Sequence, residues 1–269
     1  MNQSARFACL LYFSMPLCFA FALKAVPTQQ GSEKDRGGQM GFMKTDGLED
    51  RNLVRFLKEY YQSSYGGPEN WAQIESIRFD GRLVTPEGLV PFRAYKKKPN
   101  LCKIVVYTGR EDYIAMGFDG RDAWQQNTRA PDPGPQPMPP DEALDFIRDS
   151  IMGCHLLFPT LPGKTIKLGE PVEVEGHSCL EVCVTLPNGQ TVDYAIRMLN
   201  AAQRSMTVLN AASGETEVTT HEDFRTIQGV RIPFRSILHI NGNEVRRHEI
   251  SEIKFNAGLM PWMFQRPSL

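Results

Sequence analysis

The chain has 269 residues, 41% of them hydrophobic and 23% charged, which excludes disordered, collagen-like and fully membrane-embedded classes and suits one large domain or two small ones. Lys and Arg number 30 against 31 Asp and Glu, a formal charge of −1. No broad basic field exists to attract phosphates, so nucleic-acid binding is not expected.

The N-terminus reads as a secretory signal peptide over residues 1–25. Arg6 precedes an apolar run from Phe7 to Leu23, and Lys24 and polar residues from Thr28 follow. Cleavage after Ala22 or after Ala25 satisfies the small-residue rule; the alternative is an uncleaved anchor, since the run sits at the lower edge of what spans a bilayer. Both place the remainder outside the cytoplasm. Removing the peptide leaves Cys102, Cys154, Cys179 and Cys183 in a compartment that permits disulfides, with three pairings open. Cys179 and Cys183 lie roughly 13 Å apart along a straight strand and do not bridge each other there.

Residues 26–45 are polar and glycine-rich, a flexible tether, and a single domain over 46–269 is expected after it. An Asp46/Glu49 capping box opens a helix whose apolar face is Leu53, Phe56, Leu57, Tyr60 and Tyr61, and Gly66, Gly67 and Pro68 end it. After Trp71 come short β-rich runs at 74–84, 90–96, 102–107 and 113–118, separated by turn residues, the pattern of an antiparallel meander. The proline-rich stretch 130–140 reads as an exposed loop outside any ladder. Asp141 is the expected cap of a second helix, with Leu144, Ile147 and Ile151 on one stripe, running to about Leu157. Seven more runs follow between 166 and 255, punctuated by Asn188-Gly189, Ser213-Gly214 and Asn241-Gly242.

About eleven strands and two helices result. So many antiparallel strands curl rather than stay flat. Val230, Ile232, Phe234, Leu238 and Ile240 alternate with Arg231, Arg235 and His239, so one face is apolar and the helices are its natural cover. The expected class is mainly β with α: a strongly curved antiparallel sheet, an unclosed β-barrel, with helices over its concave apolar face.

Catalytic signatures are scarce. The chain lacks a Gly-x-Ser-x-Gly elbow, a P-loop, Gly-x-Gly-x-x-Gly and His-Glu-x-x-His. His177 with Cys179 and Cys183 lacks paired metal-ligand spacing, Cys154-His155 fits a buried cysteine better than a nucleophile with its base, and His221-Glu222-Asp223 reads as surface polarity at a strand end. No enzyme activity, cofactor or metal is expected.

A phrase of the sequence carries more. Lys97-Lys98-Pro99-Asn100-Leu101-Cys102-Lys103 precedes Phe118-Asp119-Gly120-Arg121-Asp122-Ala123-Trp124. Phe224-Arg225, Gly229-Val230-Arg231-Ile232-Pro233, Ile253-Lys254-Phe255-Asn256 and Phe264-Gln265-Arg266-Pro267 follow in order. This succession, over roughly 46–267, resembles the outer-membrane lipoprotein-sorting family, which includes the periplasmic lipoprotein carrier of the Lol system. The resemblance implies a periplasmic protein with an unclosed β-barrel that holds lipoprotein acyl chains or other lipid, handed on by a membrane-bound donor or acceptor protein. A regulatory sensor of the same fold, binding lipid or a protein partner, is the alternative.

The physics agrees, because exposing one acyl chain of ~16 carbons to water costs on the order of 12 kcal/mol. The expected lining is Phe92, Ile104, Val106, Tyr113, Trp124, Val182, Ile196, Ile232, Phe234 and Leu238 from the sheet, with Phe56 and Tyr60 from the first helix.

Overall fold

The computed structural model describes residues 50–157, 162–199 and 202–268, without the side chains of 60–64, 68 and 157. The signal-peptide, tether and Asp46/Glu49 assignments lie outside the described residues. Helix α1 (Arg51–Ser64) opens at Asp50, whose carboxylate accepts from the backbone N–H of Asn52 and Leu53 at 2.8 and 3.2 Å. The glycines that end it start a second short helix, α2 (Gly67–Ala72). Gly66 sits at φ +84°, and a Cβ there would overlap the carbonyl oxygen of Gly229, so the junction requires glycine twice over.

A first meander runs through β1 (Ser76–Thr85), β2 (Gly88–Lys97), β3 (Leu101–Tyr107), β4 (Tyr113–Phe118), β5 (Ala123–Asn127) and β6 (Gln136–Pro137). Helix α3 (Pro140–Asp149) follows. The second meander is β7 (Thr165–Val174), β8 (His177–Thr185), β9 (Thr191–Arg197), β10 (Gln203–Leu209), β11 (Thr216–Ile227), β12 (Val230–Ile240) and β13 (Asn243–Phe255). The last strand pairs with the first, giving one antiparallel sheet in the order β6-β5-β4-β3-β2-β1-β13-β12-β11-β10-β9-β8-β7. The sheet does not close: β6 and β7 are its two edges.

Thirteen strands exceed the sequence count by β5 and β6. Gln136–Pro137 pairs with Trp124 and Gln125, so the proline-rich stretch does join the ladder. It does so at the edge, where proline's missing N–H removes no bond to a further strand. Register shifts at Asp80/Gly81, Leu168/Pro171, Gln203/Ser205 and Leu238/His239 supply the bends. The result brings distant strands together: Phe79, Phe92, Ile104 and Met116 from one half share a single apolar cluster with Val182, Val192, Ile196 and Met206 from the other.

Helix α3 leaves edge β6 and the chain returns at edge β7, so this crossover spans the bend. Its N-cap is Pro139, two residues before the expected Asp141, and it stops at Asp149 rather than near Leu157. Its buried face is charged as well as apolar, carrying Asp145, Phe146, Arg148 and Asp149. Arg148 lies between Asp145 at 2.7 Å and Asp149 at 2.8 Å, with all three side chains buried. Lys96 of β2 donates to the carbonyls of Asp149 and Ile151 at 2.9 and 2.8 Å. On the far side Asp145 accepts from the backbone N–H of Ala211 (2.8 Å) and Ala212 (3.3 Å) and from Gln190 (3.3 Å). Both halves of the sheet therefore grip α3. Removing one partner of such a buried network strands the others. Arg148→Ala is expected to lower unfolding free energy by about 3–5 kcal/mol, measured by urea denaturation; a loss under about 1 kcal/mol would show that the network is not what fixes the crossover.

Candidate functional site

Strand register decides which side chains face the concave interior. Ile77, Phe79, Phe92, Ala94, Ile104 and Val106 alternate onto it, cross-strand partners matching Phe92 with Val106 and Ala94 with Ile104. From the other half come Val182, Val184, Val192, Tyr194, Ile196, Met206 and Val208. Leu53 and Leu57 of α1, one helical turn apart, insert into the same cluster, and Phe56 packs against it.

Of the expected lining, Phe92, Ile104, Val106, Val182, Ile196 and Ile232 are brought together in this cluster. Phe234 and Leu238 are buried nearby on β12, and the Arg225 guanidinium stands 4.2 Å from the Phe234 ring. Tyr60 lies on α1, and its side chain is outside the described residues. Tyr113 and Trp124 face the other way. Phe118 pairs with Ala123 across the Asp119-Gly120 turn, which puts Ala123 inside with Phe118, and Trp124 outside opposite Gly117. Trp124 donates its indole N–H to the carbonyl of Phe264 at 2.8 Å and lies under Lys103. With Tyr113, Tyr107 and Pro267 it lines an outer-face pocket of about 210 Å³.

The motif residues act as pins. Lys98 donates to the carbonyls of Trp71 and Ala72 at 3.2 and 3.1 Å, a cation at the C-terminal end of α2. Asn256 accepts from Glu75 N–H at 2.7 Å and donates to Gln73 O at 2.9 Å. Asp119 caps its turn by accepting from the N–H of Arg121 and Asp122 at 2.9 and 2.8 Å.

The interior is not apolar throughout. Between its two greasy halves, β11, β12 and β13 present Glu217, Thr219, His221, Ser236, Arg246 and His248, all buried. Glu217 accepts from Asn210 at 2.8 Å. His221 Nδ1 lies 3.2 Å from the Ser236 hydroxyl, and the His248 ring meets Phe92 edge-on at 6.1 Å. His221 is thus a buried residue rather than part of a surface triplet, while Asp223 is exposed. The sequence signal was parity: Glu217, Thr219 and His221 share one face of β11.

Burial pushes His221 down to about 3, with Arg204 adding to the fall. It holds His155 well below the ordinary histidine value, helped by Lys164, and His248 likewise, helped by Arg246. Lys164, which donates to the His155 carbonyl, is pushed down to about 7 by burial. None of the four described cysteines is in a disulfide. Burial raises Cys102 to about 11, and Cys154 is enclosed in the apolar cluster. Among the described residues no group of three His, Cys, Asp or Glu side chains is placed to hold a metal.

A cleft of about 690 Å³ opens at the β6 edge. Its apolar part is formed by Ala123, Met138, Ala143 and Ile147, which belong to or pack on the core, together with Trp124 and Pro137. Asp119, Arg121, Asp122, Gln265 and Arg266 surround the opening.

Three neutral buried histidines make the fold acid-sensitive. The unfolded chain protonates each near 6.5, so stability is fully present above that pH and is lost as pH falls toward the folded values. Asp145 and Glu217, whose carboxyls burial raises, act in the opposite direction. His221→Gln is expected to remove about one proton from the slope of stability against pH between roughly 6.5 and 3, read from urea titrations; an unchanged slope would contradict the buried neutral state.

No family model matches the chain, and no curated protein does. Solved structures do. A LolA superfamily protein of Nitrosomonas europaea superposes with a TM-score of 0.52 at 15% identity, covering 79% of this chain and 97% of that one. A putative outer membrane lipoprotein-sorting protein domain of Vibrio parahaemolyticus gives 0.52 at 8% identity, over 78% and 94% of the two chains. A DUF1329 family protein of Desulfovibrio piger gives 0.55 at 10% identity, over 79% and 97%. At these identities the likeness is one of fold, and the fold resembles that of the LolA superfamily.

Proposed function

We propose that this protein is an exported carrier that shelters acyl chains of lipoproteins or other lipids in an aqueous envelope compartment, the periplasm, and exchanges them with membrane-bound partners. The N-terminal pattern supports export, and the fold likeness supports the carrier class. One observation carries the reading: both halves of an open sheet converge on a single apolar cluster into which α1 inserts Leu53 and Leu57.

Apolar contacts are non-directional and scale with area. A hydrocarbon tail entering beneath α1 replaces the contacts of Leu53 and Leu57 with equivalent ones, so the exchange is nearly balanced. Helix α3 is different. Its buried Arg148–Asp145–Asp149 network and backbone bonds have direction and charge, and a hydrocarbon cannot substitute for them. This contrast supports α1 as the movable cover and α3 as the fixed strap.

Native mass spectrometry of the mature protein with a long-chain fatty acid tests the reading. A one-to-one adduct at micromolar concentration is expected, and Leu57→Ala should speed release of a bound acyl probe while lowering stability by about 2–5 kcal/mol. No uptake by the wild type would overturn the carrier reading.

A further inference from the structure

The cleft at the β6 edge joins a charged rim to an apolar floor. Met138 is buried in the core cluster, and Ala143 and Ile147 of α3 pack on it. The opening carries Asp119, Arg121, Asp122 and Arg266. Its volume, about 690 Å³, lies within the ~300–1,000 Å³ of sites that enclose small molecules. We propose that this cleft binds a phospholipid bearing an ammonium headgroup, with the head at the rim and the first acyl carbons against Met138, Ala143 and Ile147. It rests on the carrier reading only for the destination of the rest of the chain.

The rim has two positive and two negative groups, which complements a zwitterion rather than an anion. Arg121 and Arg266 offer the planar donor pairs that fit phosphate oxygens, and Asp122 and the free oxygen of Asp119 accept from an ammonium. Asp119 is held in place by its turn, one carboxylate oxygen accepting from the N–H of Arg121 and Asp122. Arg121 and Asp122 are 90% and 75% exposed and 3.7 Å apart. Such an exposed pair contributes little, so both are free to turn to a ligand at small cost. The edge location matters as well, since β6 is only two residues long and among the described residues no strand lies beyond it to block lateral approach.

Calorimetric titration with three soluble short-chain lipids tests this: dihexanoyl phosphatidylethanolamine, dihexanoyl phosphatidylglycerol and dihexanoylglycerol. The ethanolamine lipid should bind the wild type about tenfold or more tightly than either other lipid. The double variant Arg121→Glu, Arg266→Glu should lose that preference, and both positions are exposed, so the fold is left intact. A long-chain fatty acid titrated in parallel reports the carrier reading separately. If it binds while the ethanolamine lipid shows no preference, or is indifferent to the charge reversal, the cleft assignment is overturned and the carrier reading stands. If only the ethanolamine lipid binds, the cleft stands and the acyl site beneath α1 falls; if neither binds, both fall.

Discussion

An antiparallel sheet that bends without closing leaves its two halves free to spread, and one crossover ties them. Helix α3 starts beside β6 and the chain re-enters at β7, so its grip on both halves sets how far apart they sit. That grip is ionic and directional: Arg148 between two aspartates, Lys96 on the helix's last carbonyls, and Asp145 on the turn after β10. Burying these groups is favourable only while every partner is present. The crossover is thus specified more sharply than apolar packing alone would specify it.

The other cover, α1, brings apolar side chains to the same interior. Leu53 and Leu57 remove area from water without fixing direction. On the proposed reading one interior contains a rigid element and an exchangeable one, the combination a carrier of hydrocarbon chains needs. The polar belt of Glu217, His221, Arg246 and His248 lies on the strands between the two halves, so the interior whose apolar cluster they share is not lined by hydrocarbon throughout.

Most of the strands were legible because alternation and Asn-Gly or Asp-Gly turns report local geometry. Helix α1 was legible from its apolar spacing, though its cap is Asp50 rather than the box upstream. What escaped depended on nonlocal pairing. Gln136–Pro137 joins the sheet only because it lies at an edge. Trp124 looked like lining because it is large and apolar, yet the Phe118–Ala123 pairing turns it outward, and the small Gly117 opposite it was the available signal. His221 looked like surface polarity because it is followed by Glu222 and Asp223. The left-handed residue Asp223, at φ +48°, drops out of the pairing with β12 there, so the three neighbours do not share an environment. On α3 the apolar spacing announces Ile147 and Ile151, which meet the core, but nothing local announces that Asp145 will be buried against a turn 66 residues away.

Native-state hydrogen exchange, with and without bound long-chain fatty acid, compares the two helices directly. Amides of α1 are predicted to exchange through local opening well below the global unfolding free energy and to change protection when fatty acid binds, while those of α3 exchange only on global unfolding and do not respond. Exchange of both helices in a single global step, the same with and without fatty acid, would contradict the division into movable cover and fixed strap.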